Sequence, residues 1–369
     1  MDRFDILIVG GGIAGASLGA EVAHGRRVAI IEAEKHPGMH ATGRSAAFWL
    51  ESYGGAGVAS LSAASHDFLM NPPPDFAERG FLSRRGAFHV DSTGRTDAFA
   101  HIPDSVATTP MDRADLEAAI PGLDPRWVQG QLEAGCADID VAALHAAYLR
   151  QFRRGGGTLL IDSPLVSAVR SGGVWVVTLN GGRRLAATIL VDAAGAWADP
   201  VAVASSVRPL AIQPKRRTMV QLRVGRGGLA RMPQVIDAAG SFYFKGEGDR
   251  SVWVSPHDEI STDPCDAQPE EIDIAVAIDR FEHAVDWPIE KVERSWAGLR
   301  TFAPDRLPVY GFDQAAEGYF WFAGQGGFGI QTAPAAARLA ASILLGTDLD
   351  PMVAGIDSTV YSPARFAPR

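Results

Sequence analysis

Near the amino terminus, the apolar run Ile6-Leu7-Ile8-Val9 ends abruptly in Gly10-Gly11-Gly12, and small residues dominate from Ile13 to Val22. A second apolar run, Val28-Ala29-Ile30-Ile31, ends at Glu32. Strand, glycine turn, helix and parallel strand within about 30 residues make a βαβ unit, whose crossover has one allowed hand. Gly10-x-Gly12-x-x-Gly15 falls on the turn of that unit. Its first glycine permits the turn, its second lets a pyrophosphate approach, and its third lets helix and strand pack closely. The helix amino end offers free N–H groups and positive dipole to the phosphates, with Ile13 and Ala14 among the expected contacts. Glu32, twenty-two residues after Gly10, is placed to accept hydrogen bonds from ribose hydroxyls. The pattern predicts a bound dinucleotide.

A chain of 369 residues is long enough for two domains. Its hydrophobic share of 47% and charged share of 21% suit a large-cored globular enzyme and exclude a disordered chain. The net charge is −9 and the basic pairs Arg26-Arg27, Arg153-Arg154 and Arg183-Arg184 are scattered, so nucleic acid is excluded as a partner. Two cysteines, Cys136 and Cys265, make neither a disulfide framework nor a zinc site, which fits a reduced, cytoplasmic setting. No metal is expected, since Pro37-Gly38 breaks the spacing between His36 and His40. The first residues carry no signal-peptide pattern. The uncharged stretch from Gly318 to Ala337 contains five glycines and a proline, so it reads as a ligand loop and not a membrane span.

Further along, 56–70 and 141–153 read as helices, 158–161 and 188–191 as strands, and 174–179 as one arm of a hairpin turning at Asn180-Gly181-Gly182. From Arg216 the texture changes to alternating strands at 219–224, 241–245 and 251–255. Residues 269–287 read as helix, 292–302 as extended, and 332–345 as the last long helix. We therefore expect an α/β (α+β) chain in which a Rossmann-like domain (1–47, 138–206 and 301–369) is interleaved with an antiparallel-sheet substrate domain (48–137 and 207–300).

The carboxy-terminal loop Gly324-Gln325-Gly326-Gly327-Phe328-Gly329-Ile330-Gln331 separates a strand from that last helix. A second helix amino end suits the pyrimidine edge of a flavin, which becomes anionic on reduction, and favours FAD over NAD.

Together, the glycine fingerprint with Glu32, the loop Thr42-Gly43-Arg44-Ser45, the turn Asp192-Ala193-Ala194-Gly195-Ala196-Trp197 and the Gly324–Gln331 loop resemble the D-amino-acid oxidase/glycine oxidase/sarcosine oxidase superfamily. Trp296-Ala297-Gly298-Leu299-Arg300 followed by Pro304-Asp305-Arg306-Leu307-Pro308 is similar to its substrate-arginine segment. Within it, residues 40–47, Gln213-Pro214-Lys215-Arg216-Arg217 and Ser362-Pro363 look most like D-arginine dehydrogenase-type D-amino acid dehydrogenases. The resemblance implies an FAD domain, an antiparallel sheet roofing the isoalloxazine, and C–N oxidation by hydride transfer to flavin N5. It implies cofactor contacts from Thr42, Gly43, Arg44, Ser45, Ala46, Val166, Ala194, Gly195, Trp197, Gly298, Gly326, Gly327, Phe328, Gly329, Ile330 and Gln331, besides the fingerprint residues. It assigns the substrate carboxylate to Arg300 and Arg217, the pocket wall to Tyr53 and Tyr243, and the amine to the Gly327 carbonyl. Strand alternation puts Arg216 and Arg217 on opposite faces, so one alone reaches the site.

Three positions depart from the dehydrogenase pattern. Phe48, Leu50 and Ala87 replace a histidine, a threonine and an acid, which predicts a preference for neutral, apolar D-amino acids. Glu51, close in sequence, reads as a solvated surface acid, with an inward-turned replacement anion as the alternative. No cysteine follows Cys265, where some relatives attach flavin covalently, so non-covalent FAD is expected. The strand 251–255 lacks the lysine of oxygen-using relatives, so a quinone or electron-transfer protein is the expected acceptor. The alternatives are an oxidase of glycine, sarcosine or another secondary amino acid, and a non-catalytic flavin subunit of a larger complex.

Overall fold

In the computed structural model, which describes residues 1–366, strand Asp2–Val9 lies between Val28–Ile31 and Arg184–Asp192, parallel to both. Thr158–Leu160 extends this sheet on one side. On the other, Arg184–Asp192 divides its pairing: Leu185 and Ala187 join the hairpin strand Val174–Leu179, whereas Leu190 to Asp192 run parallel to Tyr319–Ala323. The fold is mixed α/β, as the sequence predicts. Helices cover the sheet, so its central strands are buried on both faces and read as unbroken apolar runs. Helices Ile13–Val22 and Ala333–Leu345 pack on Ile6, Ile8, Ile30 and Phe320, and Phe152 of helix Val141–Arg154 joins them.

The second sheet is built on two long strands, Gln213–Val224 and Ile289–Phe302, paired antiparallel. From Gln213–Val224 it continues through Ser251–Ser255, Tyr243–Gly246, Gln234–Asp237, Ala87–Asp91, Gln129–Glu133 and Thr109–Asp112. Helix Glu271–Glu282 covers it and ends sooner than its apolar pattern suggests. Ala284, Val285 and Trp287 leave the helix to fill the core around Phe244 and Phe281, and Asp286 N–H bonds to Gly122 O at 2.7 Å. The short strands between residues 82 and 139 carry too few residues for a clear period. Three short strands, Phe48–Trp49, Leu82–Arg84 and Ala137–Ile139, form a small sheet of their own. Among the described residues no helix is long and apolar enough to cross a membrane, and 318–337 is strand, glycine loop and helix start. Residues 367–369 lie outside the described residues.

Asp192 ends its strand fully buried, accepting hydrogen bonds from Tyr319 Oη (2.7 Å) and the Ala194 N–H (3.1 Å). Burial outweighs both bonds and raises its carboxyl to about 8. In the unfolded chain it loses its proton near about 4. Between these values the folded state holds one proton more, so this group makes stability fall as pH rises from about 4 to about 8. Chemical denaturation across this range should show a shallower decline for Asp192→Asn than for the wild type. Equal slopes would exclude a protonated Asp192.

Candidate active site

A cavity of about 450 Å³ is lined by residues of both large sheets. One end is the glycine turn. Gly10 adopts φ +104°, and a Cβ there would stand 2.5 Å from Ala193 O; one at Gly15 would stand 1.9 Å from Gly10 O. The turn therefore needs a left-handed residue without a side chain, followed by a helix pressed onto it. Glu32 is tied by both oxygens, Oε2 accepting from Gly11 N–H (2.8 Å) and Oε1 from Glu34 N–H (2.9 Å), and still borders the cavity. Thr42 Oγ1 accepts from Ile13 N–H at 3.0 Å. His145, unread in the sequence, bonds through Nε2 to Gly11 O at 2.8 Å. Burial holds its imidazole below the usual histidine range, so the neutral ring acts as an N–H donor clamping the turn.

Most of the expected cofactor contacts border this cavity: Gly10, Gly12, Ile13, Ala14 and Glu32 at the fingerprint, and Thr42, Arg44, Ser45 and Ala46 on the next loop. Ala194, Gly195 and Trp197, then Gly298, and finally Gly326, Gly327, Gly329 and Ile330 complete the set. Arg44 spans the two parts of the chain, donating to Ala267 O (2.8 Å) and Ala297 O (3.2 Å) and pairing with Asp266.

Five expected contacts do not border it. Gly15 and Gly43 are close-packing positions; a Cβ on Gly43 would lie 2.8 Å from Gly38 O. Val166 turns outward, 56% exposed, because Pro164 and Leu165 before it take the cavity wall. Phe328 is buried against Val58 and Phe302. Gln331 is buried on the Leu50 backbone, accepting from its N–H (3.2 Å) and donating to its C=O (3.1 Å), with a third bond to Ser62 Oγ (2.7 Å).

At the other end stand Arg217, Arg300, Tyr53 and Tyr243, all lining the cavity. Register explains the arginine pair. Lys215 faces Arg300 and Arg217 faces Gly298 across the long strands, so Lys215, Arg217 and Arg300 share one face of the pair. Arg216 points to the opposite face and pairs with Glu270 and with Asp273 (2.9 Å) of the covering helix. Arg217 is 6% exposed, and its Nε donates to Asp258 O at 2.8 Å. Its Nη1 and Nη2 have no hydrogen-bond partner among the described residues. Arg300 donates through Nη1 to Tyr53 Oη (2.5 Å) and through Nη2 to Glu259 (3.0 Å).

Glu259 is the residue that sequence reasoning missed here. Its carboxylate also meets Arg306 (2.9 Å), Lys215 (3.6 Å) and Arg217 (3.7 Å). Burial would raise its carboxyl, but the Arg306 hydrogen bond and the charges of Arg306, Arg217 and Lys215 outweigh that and hold it ionised. It stands forty-two positions from Arg217 in a loop, where no periodicity marks it.

Of the three departures, Phe48 alone borders the cavity, with its ring 5.7 Å from both Tyr53 and Tyr243. Leu50 and Ala87 pack with Cys136 in a small apolar cluster behind it, so they shape the wall without forming it. Glu51 does not border the cavity either.

The chain belongs to the DAO family of FAD-dependent oxidoreductases, whose model, described as "FAD dependent oxidoreductase", matches residues 5–343. Among curated proteins it is similar to hydrogen cyanide synthase subunit HcnC of Pseudomonas aeruginosa, 25% identical over 424 aligned positions that span 99% of this chain and 97% of that one. Its fold is similar to that of glycine oxidase from Geobacillus kaustophilus (TM-score 0.82, 21% identity, 97% of this chain and 98% of the other). It is equally similar to that of L-proline dehydrogenase from P. horikoshii (TM-score 0.83, 18% identity, 99% and 98%).

FAD is the cofactor, and the residues present fit it: a side-chain-free turn at a helix amino end for the pyrophosphate, and Glu32 for the ribose. Cys265 is exposed and borders the cavity, whereas Cys136 is buried away from it. We expect acid precipitation to release all the flavin to the supernatant. Yellow colour retained on the pellet would mean a covalent link and point to Cys265.

Proposed function

We propose that the protein oxidises the C–N bond of a neutral, apolar D-amino acid to the imino acid, which water then hydrolyses, and that it passes the electrons to an acceptor other than oxygen. The observation that carries this reading is the pair Arg217–Arg300. A buried guanidinium whose Nη1 and Nη2 lack hydrogen-bond partners among the described residues, lining a cavity, calls for an anion of carboxylate geometry. A flavin subunit without chemistry of its own has no use for such a fork, although the similarity to a synthase subunit raises that alternative. The names of glycine oxidase and L-proline dehydrogenase support a substrate of amino-acid type. The placement nearest D-arginine dehydrogenase-type enzymes rests on the motifs at 40–47 and 213–217.

Bound FAD supplies a hydride acceptor. Arg217 and Arg300 hold the carboxylate, and the Gly327 carbonyl accepts from the amine. A side chain at Gly327 would push neighbouring donors aside, since a Cβ would stand 2.6 Å from Tyr53 Oη and 3.0 Å from Arg300 Nη1. Burial raises the phenols of Tyr53 and Tyr243 above the usual tyrosine range, so they stay protonated and serve as donors and not as bases. The amine proton is left to solvent.

Removing one arm of a buried charged pair costs about 2–5 kcal/mol. Arg300→Met should therefore lower kcat/KM about a hundredfold or more with flavin content unchanged, and Arg217→Met should follow. Arg216→Met, which breaks the pairs with Glu270 and Asp273, should lower Tm more than kcat/KM. Greater damage to catalysis from Arg216→Met than from Arg217→Met would reverse the assignment of faces.

Phe48 brings an aromatic ring where a basic side chain would need an acceptor. In anaerobic stopped-flow reduction, D-leucine, D-methionine and D-phenylalanine should exceed D-arginine in kcat/KM by about tenfold or more. D-Arginine winning would overturn the preference. No lysine is among the described residues lining the cavity, which supports slow reaction with oxygen. The same reduced enzyme, mixed with air-saturated buffer, should reoxidise more slowly than it turns over; reoxidation as fast as turnover would mean an oxidase.

A further inference from the structure

Tyr53 sits on an irregular turn, yet its phenol must meet Arg300 within hydrogen-bond distance. The turn itself contributes only two backbone bonds, Tyr53 N–H to Leu50 O at 3.1 Å and Gly55 N–H to Ser52 O at 3.2 Å. Its placement therefore depends on what grips it from outside. Gln331 holds Leu50 through both N–H and C=O. The second grip is a carboxylate. Glu133, at the end of strand Gln129–Glu133, accepts from Ser52 N–H (3.3 Å) and from Ser52 Oγ (2.7 Å), and its Oε2 also meets His89 Nε2 (3.1 Å).

Glu133, His89 and Ser52 are 1%, 2% and 4% exposed, and none of them borders the cavity. Burial alone would raise the Glu133 carboxyl, but the hydrogen bonds from His89 and Ser52 outweigh it, so the group is an anion in the interior. A buried anion is expensive to desolvate and adds little net stability, and its best-attested use is to fix one arrangement among several. Here the arrangement in question is the turn that carries Tyr53.

We propose that Glu133 is the positioning residue for Tyr53, acting through Ser52, and that Glu133 and Gln331 together aim the phenol at Arg300. The inference rests on the reading of Arg300 and Tyr53 as carboxylate donors. Neither Glu133 nor Ser52 touches the substrate, so any effect on binding must travel through the turn. That demand makes a double-mutant cycle decisive, because residues acting along one path are not additive.

The experiment titrates FAD-bound enzyme with propionate, a carboxylate without an amine, and follows the flavin absorbance, with flavin content and Tm measured alongside. Tyr53→Phe, Glu133→Gln and Ser52→Ala should each weaken propionate binding by about tenfold, a loss typical of one charge-assisted hydrogen bond. Glu133→Gln combined with Tyr53→Phe should bind within about twofold of Tyr53→Phe alone. Ser52→Ala removes a single hydroxyl and carries the same test should Glu133→Gln fail to fold. Additive losses in the double variant, or undiminished binding in Glu133→Gln and Ser52→Ala, would overturn the positioning role alone. Full propionate affinity in both Arg300→Met and Tyr53→Phe would overturn the carboxylate reading, and the inference with it.

Discussion

The pairing of Gln213–Val224 with Ile289–Phe302 is the constraint on which the site depends. Lys215 opposite Arg300, and Arg217 opposite Gly298, put three cations on one face of two adjacent strands. A slip of one residue would send Arg300 to the face where Arg216 now meets Glu270 and Asp273. That register is held by a long ladder and by the apolar residues on the covered face, Val220, Leu222 and Val224, which pack under Phe281. The geometry of the arginine fork is thus secured by hydrophobic burial on the far side of the same sheet.

Bringing cations together in this way creates an electrostatic problem that Glu259 answers. Its carboxylate reaches Arg300, Arg306, Lys215 and Arg217 at once, so the cluster is partly neutralised from within the protein. The neutralisation is unequal. Arg300 is hydrogen-bonded to Glu259 and Tyr53 and leaves only Nε without a hydrogen-bond partner among the described residues, whereas Arg217 leaves both Nη1 and Nη2 and has contact with its anions only at 3.7 Å. The unsatisfied capacity is concentrated where a ligand can use it, the usual sign of a binding site and an uncommon feature of a structural ion pair.

Between the two sheets lies a small junction that neither sheet would predict. Strand Phe48–Trp49 brings Phe48 to the cavity, and the turn that follows brings Tyr53. Gln331, in the loop before helix Ala333–Leu345, and Glu133, on a strand of the second sheet, both reach this turn. One anchor thus comes from each side of the junction, and the pocket wall is sensitive to how the two parts of the chain are joined.

The sequence by itself determined the βαβ unit, the glycine turn with Glu32, the antiparallel texture after Arg216, and the opposite facing of Arg216 and Arg217. These depend on local periods and on the steric needs of glycine, which neighbouring residues express directly. It also marked Phe48, which the structure places at the cavity. Tertiary structure alone decided the rest. Glu259, His145 and Glu133 act across 41, 134 and 81 positions of chain, and no local period records such a contact. Gln331 sits in a loop that reads as cofactor-binding, yet its amide is spent on the Leu50 backbone, because a buried amide must satisfy both donors and acceptor wherever partners lie. Leu50 and Ala87 likewise read as pocket residues but pack one layer behind it. Periodicity tells which face of a strand is covered; which of the covered residues reaches a cavity depends on how the strands from distant parts of the chain are stacked.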